Sequence, residues 1–146
     1  MLVVDDGQME VFEERLFEAM QQRVERAIAA TFPELCNKPA AGGMDPATGE
    51  PGKIKAIVER GIESAVRFEI GDGPDFAAFI ALGLALRLAP PQPSADWIHA
   101  CMNRPETTGQ TKLRMIESRL RSLAQDDPTF EVIAGRVGQA RERAAA

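Results

Sequence analysis

Apolar residues crowd into one stretch of this chain. Phe76 to Leu86 is an unbroken apolar run of eleven residues when Gly83 is counted, preceded by Gly71-Asp72-Gly73-Pro74-Asp75 and followed by Pro90-Pro91. Asp72 or Gly73 suits the N-cap of a helix whose first position is Pro74, where a missing N–H costs nothing and φ is already set. Asp75 then falls in the positively polarised first turn, and the two prolines end the helix near Ala89. The pattern predicts a helix over residues 74–89. A helix apolar all round is buried on all sides, so the other helices are expected to pack around this one. A membrane span needs roughly 20 apolar residues, and Arg87 interrupts this run too early.

Amphipathic patterns flank that run. From about Gln8 to Thr31, Met9, Phe12, Leu16, Met20, Val24 and Ile28 recur every three or four residues, forming the apolar stripe of a long helix with Asp5 or Asp6 near its N-cap. Glu10, Glu14, Glu18 and Glu25 share another face. Glu13 and Arg23 fall beside the stripe and are read as flanking it with their charges turned outward. Phe32-Pro33-Glu34-Leu35-Cys36 closes the element. Residues 37–52 hold three prolines and four glycines, a loop by composition and one expected to be flexible. Lys53 to Ile70 follows as a helix with Ile54, Ile57, Val58, Ile62, Ala65 and Val66 on its apolar side. Gly61, in its middle, costs up to about 1 kcal/mol against alanine, and close approach to the central helix would account for it.

Beyond the prolines, Ser94 suits the cap of a short helix over 95–103, with Trp97, Ile98, Cys101 and Met102 closing one end of the core. Thr107 or Thr108 caps a helix running to about Gln125, striped by Leu113, Ile116, Leu120 and Leu123. Asp127-Pro128 starts a last helix anchored by Phe130, Ile133 and Val137, its end expected to fray from Arg141 onward. The expected fold is all-α, a compact bundle of about five to six helices around the central apolar helix. A single domain spanning 1–146 is expected, with a flexible loop at 37–52 and a frayed C-terminal tail.

Composition narrows the classes. A chain of 146 residues that is 45% hydrophobic can bury a core and is not globally disordered. The absence of tyrosine and the scarcity of β-branched runs lean away from sheet. Net charge is −5, unevenly spread: residues 1–75 carry 15 acidic against 8 basic side chains, and residues 109–146 carry 5 against 7. An acidic front half argues against nucleic-acid binding and is compatible with a basic protein partner. Asp5 and Asp6 stand where a signal peptide would be basic and then apolar. Cys36 and Cys101 fit no C-x-x-C spacing, and a cytoplasmic location with reduced thiols is expected.

Candidates for chemistry are few. Two cysteines and one histidine make no zinc set. His99 lies three residues after Asp96 on the short helix, so the two can touch, whereas Cys101 points elsewhere; a packed or surface histidine is expected over a Cys–His dyad. Gly42, Gly43 and Gly49 fit no phosphate loop, and Asp45, Thr48 and Glu50 lack the ligand alternation of an EF-hand. Lys112, Arg114, Arg119 and Arg121 surround Glu117 with no interleaved aromatics, which predicts a solvated helix and not a nucleic-acid platform. Met115, off the stripe, marks a candidate contact surface. No catalytic, metal or cofactor set emerges, and the chain is expected not to be an enzyme.

Three stretches in fixed order carry a resemblance: FEERLFEAMQQRVERAIAATFPELC, IVERGIESAVRFEIGDGPDFAAFIAL and ADWIHACMNRPETTGQTKLRMIESRL. Together they resemble small helical proteins encoded beside type VI secretion spike and effector genes. Against that pattern, Gly71-Asp72-Gly73-Pro74-Asp75 replaces a polar Glu-x-Asp-Val entry, Leu88-Ala89-Pro90-Pro91 replaces a Gly-x-x-Phe-Asp element, and the 37–52 loop reads as an insertion. The resemblance implies a non-enzymatic, protein-binding accessory, an adaptor or chaperone that keeps an effector or its spike-fusion segment soluble and loadable. Its alternative is an immunity protein neutralising a cognate toxin, whose basic cleft the acidic first helix would cover. The implied partner is a bacterial effector, toxin or spike-associated protein, with no nucleic acid and no membrane insertion. The candidate partner-binding residues are Glu10, Glu14, Glu18 and Glu25 on the first helix, with Asp45 and Glu50 in the loop.

Overall fold

The apolar run forms a helix, Gly73–Leu88, in the computed structural model of the chain, and local chemistry sets both its ends. Asp72 is the N-cap, its Oδ1 accepting the Asp75 N–H at 2.9 Å, with Pro74 in the first turn. At the other end the Ala89 N–H donates to the Ala85 carbonyl at 3.1 Å before Pro90 and Pro91 stop the ladder. The structure describes residues 6–36, 52–105 and 107–146, excluding the side chains of 6–13, 36 and 52–53.

The described residues form seven helices and no strand: α1 (Asp6–Thr31), α2 (Pro33–Cys36), α3 (Gly52–Arg67), α4 (Gly73–Leu88), α5 (Asp96–Met102), α6 (Gly109–Ala124) and α7 (Pro128–Ala145). The chain is all-α, and α2 is the single turn into which Pro33 and Glu34 extend the close of α1. α4 lies at the centre, packed on α7 most extensively and on α1 and α3. Its alanines Ala77, Ala78, Ala81 and Ala85 are all buried, and such small side chains let neighbouring backbones come close. α7 runs back along α4, so that Arg141 near its end meets Asp75 at the start of α4. α6 packs on α7, and α5 on α6. Val24, Ile28, Phe32, Val58, Ile62, Leu113, Ile116, Leu120, Ile133 and Val137 fill the one core cluster they share with α4.

Caps account for the helix starts downstream. The Thr108 Oγ1 accepts the Thr111 N–H at 3.3 Å, and the Asp127 Oδ1 accepts the Thr129 N–H at 2.9 Å. α5 starts at Asp96, with Ala95 as the cap residue and the Ser94 hydroxyl only at 3.4 Å from the Asp96 nitrogen. α3 ends at Arg67, three residues before the expected Ile70. Glu69 takes a left-handed φ of 63°, and the Ile70 N–H closes back on the Ala65 carbonyl at 3.0 Å, the reversal that ends many helices. It turns Ile70 into the core and leaves Val66, expected on the apolar side, 55% exposed.

Three expectations need correction. The α1 stripe is buried at Val24 and Ile28, but Leu16 is 56% exposed, because α1 reaches its packing partners only from about Met20. The C-terminal tail is not frayed: α7 continues to Ala145, Ala140 and Ala144 are buried, and the Arg143 Nη1 donates to the Thr31 Oγ1 at 2.9 Å. Nor is α4 buried on all sides. Phe79, Gly83 and Leu86 are each only half-buried. The 37–52 loop expectation lies outside the described residues save for Gly52, which begins α3.

Candidate functional site

Phe79, Gly83 and Leu86 stand four and three residues apart, so they line one side of α4. That side opens on a groove of about 460 Å³ between α3, α4 and α5. α3 supplies Ile57, and the turn just after it supplies Phe68, whose ring lies 6.0 Å from that of Phe79 in a tilted arrangement. α5 supplies Ile98 and Met102. Two glycines shape the groove in opposite ways. A Cβ on Gly61 would sit 2.3 Å from Ile80 Cγ1, so its absence lets α3 close onto α4. A Cβ on Gly83 would meet nothing within 4 Å among the described residues, so that glycine leaves open space in the floor.

α5, at one edge of the groove, is fastened to α6. The Lys112 Nζ, on α6, donates to the Met102 carbonyl at the end of α5 at 3.0 Å, and the Arg119 guanidinium lies over the Trp97 ring at 4.5 Å. The seven-residue helix is thereby held against α6 and covers only one edge of α4. This corrects the expectation of a solvated α6: Lys112 and Glu117 are buried, while Arg114 and Arg121 are exposed as expected. Met115 is exposed and borders a second cavity, of about 250 Å³, with Trp97 and Arg119.

The described charges in the groove have one sign. Arg60 and Arg87 belong to its lining, with His99 beside them, and among the described residues no carboxylate does; Glu63 and Asp96 lie on the same helices outside it. No salt bridge among the described residues engages Arg60, Arg87 or His99. An apolar channel with a cationic border accepts an apolar surface flanked by carboxylates. His99 is exposed, and among the described residues no hydrogen bond joins it to Asp96 or Cys101. The Cys101 thiol is half-buried, 3.8 Å from the Lys112 carbonyl. Among the described residues no three histidine, cysteine or carboxylate side chains gather as metal ligands.

A buried ion cluster pins α4, α6 and α7 together. Asp75 is 2% exposed. The Arg141 Nε and Nη2 donate to the two Glu117 carboxylate oxygens at 3.0 and 2.6 Å, and its Nη1 pairs with Asp75 Oδ1. Burial lowers the Arg141 pKa, but the hydrogen bonds and charges of Glu117 and Asp75 outweigh it and raise the value above that of ordinary arginine. Asp75 Oδ2 has no hydrogen-bond partner among the described residues. A second pair, Arg136 with Glu34, fastens α7 to α2, with the guanidinium 4.6 Å over the Phe32 ring.

The sequence-derived candidates lie elsewhere. Glu14 and Glu18 are exposed on α1, Glu25 is half-buried where α1 has entered the bundle, and Glu10 is on α1 with its side chain outside the description. Asp45 and Glu50 lie outside the described residues. None of the described candidates lines the groove. Sequence reasoning missed the groove, although one signal pointed to it: Gly83 interrupts an otherwise bulky apolar run, with Phe79 and Leu86 on its own side. No helix among the described residues is long and apolar enough to cross a membrane. Searches with family models, against curated proteins and against solved structures returned no match to this chain.

Proposed function

We propose that the chain is a non-enzymatic helix-binding protein, an adaptor or chaperone of a type VI secretion effector module, acting in the cytoplasm. The observation that carries the binding role is the open groove on α4: a continuous apolar floor, a glycine gap at its centre and a cationic border. A partner helix laid there would bury its apolar side against Phe79, Leu86 and Ile57 and set its acidic flank near Arg60 and Arg87. Such binding keeps an effector segment soluble by covering the surface through which it would aggregate. The secretion context rests on the order and spacing of the three sequence stretches.

The test is affinity purification of the full chain at native expression in its own host, in parallel with Gly83→Trp, which fills the groove from a position with space for a side chain. The reading expects an effector or spike component with the parent chain and its loss with the variant. Recovery of neither component, or equal recovery by both chains, overturns it. An immunity role is favoured by a different observation, the exposed Glu14 and Glu18 on α1, which suit a basic cleft. Co-expression separates the two: an immunity protein rescues cells from the toxin, whereas a chaperone raises effector level or secretion without rescue.

A further inference from the structure

The outer part of α1 and the groove are complementary surfaces carried by the same chain. Leu16 and Phe17 are exposed, yet by helical rotation they fall on the side of α1 that buries Val24 and Ile28. The apolar stripe thus runs on past the edge of the bundle. Glu14 and Glu18, with Arg15 between them, flank that stretch; all three are exposed and their net charge is negative. The groove offers the converse: an apolar floor, and Arg60 and Arg87 with no carboxylate among the described lining residues. Neither Leu16 nor Phe17 lines the groove of its own chain.

We propose that a second copy of this chain occupies the groove, with the Leu16–Phe17 stretch of each α1 seated on Phe79, Gly83 and Leu86 of the other. Exchange in both directions makes a closed two-fold dimer. Phe17 is the larger anchor and Gly83 the gap that receives it. Glu14 and Glu18 approach the cationic border, so association weakens as salt rises. The inference rests on the reading of the groove as a helix-binding site, and it gives that site an occupant before an effector arrives. An effector helix would then compete with α1 for one surface.

Sedimentation velocity of the full chain over a wide concentration range, at low and high salt, reads the equilibrium directly. The expected result is a monomer–dimer exchange that salt shifts toward monomer. A Leu16→Glu, Phe17→Glu double variant and a Gly83→Trp variant should each weaken it roughly tenfold or more, since each prevents burial of at least one large apolar side chain. Mixing the two variants should restore association in part: the α1 of the Gly83→Trp chain still meets an intact groove on the other, while the reverse contact stays blocked, whereas each variant alone has no intact contact. Circular dichroism and thermal melting confirm that both variants fold.

A monomer at every concentration overturns the proposal. So does a dimer lost in the α1 variant but kept in Gly83→Trp, which would mean that α1 pairs with α1. A mixture that fails to reassociate also overturns it. The adaptor reading fails separately. A monomeric chain that captures an effector in a Gly83-sensitive way overturns only the dimer. A dimer passing every step while no effector or spike component is recovered from the host overturns only the adaptor.

Discussion

Replacing Arg141 with methionine tests whether the buried ion cluster holds the end of α7 in place. Arg141 uses three nitrogens on two carboxylates, and one of them, Asp75, is 2% exposed with an oxygen that has no partner among the described residues. Removing the guanidinium leaves two negative charges facing each other without a cation. Breaking a buried pair by deleting one partner costs about 3–5 kcal/mol, a large part of the 5–15 kcal/mol that typically holds a domain folded. At about 4 °C per kcal/mol for a chain of this size, the melting temperature should fall by roughly 12–20 °C. Urea unfolding followed by circular dichroism at pH 7 measures the loss as a lower midpoint with an unchanged slope. The Arg141 guanidinium adds no pH dependence to the parent below the ordinary arginine range. Its folded pKa is raised, so its stabilisation is present in full below the ordinary arginine value and is lost only above it. The triple variant Asp75→Asn, Glu117→Gln, Arg141→Met should regain most of the lost stability. A loss below about 1 kcal/mol, the range of an exposed pair, would refute the reasoning.

Three further outcomes test other parts of the fold. Gly83→Ala should stabilise the chain by up to about 1 kcal/mol, since helix propensity favours alanine and space is free, whereas Gly61→Ala, forced against Ile80, should cost about 1–3 kcal/mol; urea midpoints of the pair give the sign of each. Gly109→Ala should cost more than either, because its Cβ would lie 1.7 Å from the Phe68 carbonyl oxygen, and backbone cannot move aside as a side chain can; the expected readout is loss of the cooperative thermal transition. Asp72→Ala removes the α4 N-cap bond and should cost about 1 kcal/mol, seen as a small fall in urea midpoint with the helical signal retained.

What the sequence reveals about this fold is mostly what neighbouring residues decide among themselves. Asp72, Thr108 and Asp127 are legible as caps because the groups they satisfy lie two or three residues away. Gly61 is legible as a contact point because a glycine within an apolar helix needs a reason. Where α1 leaves the bundle is not legible, since the spacing of Leu16 is as regular as that of Val24 and carries no information about where its neighbours end. The Asp75–Arg141–Glu117 cluster is hidden for a different reason. Asp75 and Arg141 are 66 residues apart, and Asp75 looks like an ordinary first-turn carboxylate until the fold brings α7 past it. Lys112 is misread likewise: its charge predicts solvent, and only the end of α5 supplies the carbonyl that lets it be buried.

The groove joins these two kinds of information. Helical period says that α4 is apolar on every side, and helix packing needs every such side to find a partner. α7, α1 and α3 account for most of the circumference, and α5 would complete it if it were free to lie down on Phe79 and Leu86. It is not free, because Lys112 and Arg119 hold it on α6. Core-quality surface therefore stays open along the most apolar helix of the chain, at the position where Gly83 carries no side chain to fill it. If the opening were only a packing fault, Gly83→Ala or Gly83→Leu would add stability and change nothing else. If the gap receives a helix, the same substitutions must trade stability against association, with the larger side chain excluding the occupant more completely. Measuring folding and binding together over Ala, Leu and Trp at that one position distinguishes the two. A rise in stability with no fall in association would return α4 to being a core helix with a loosely packed side.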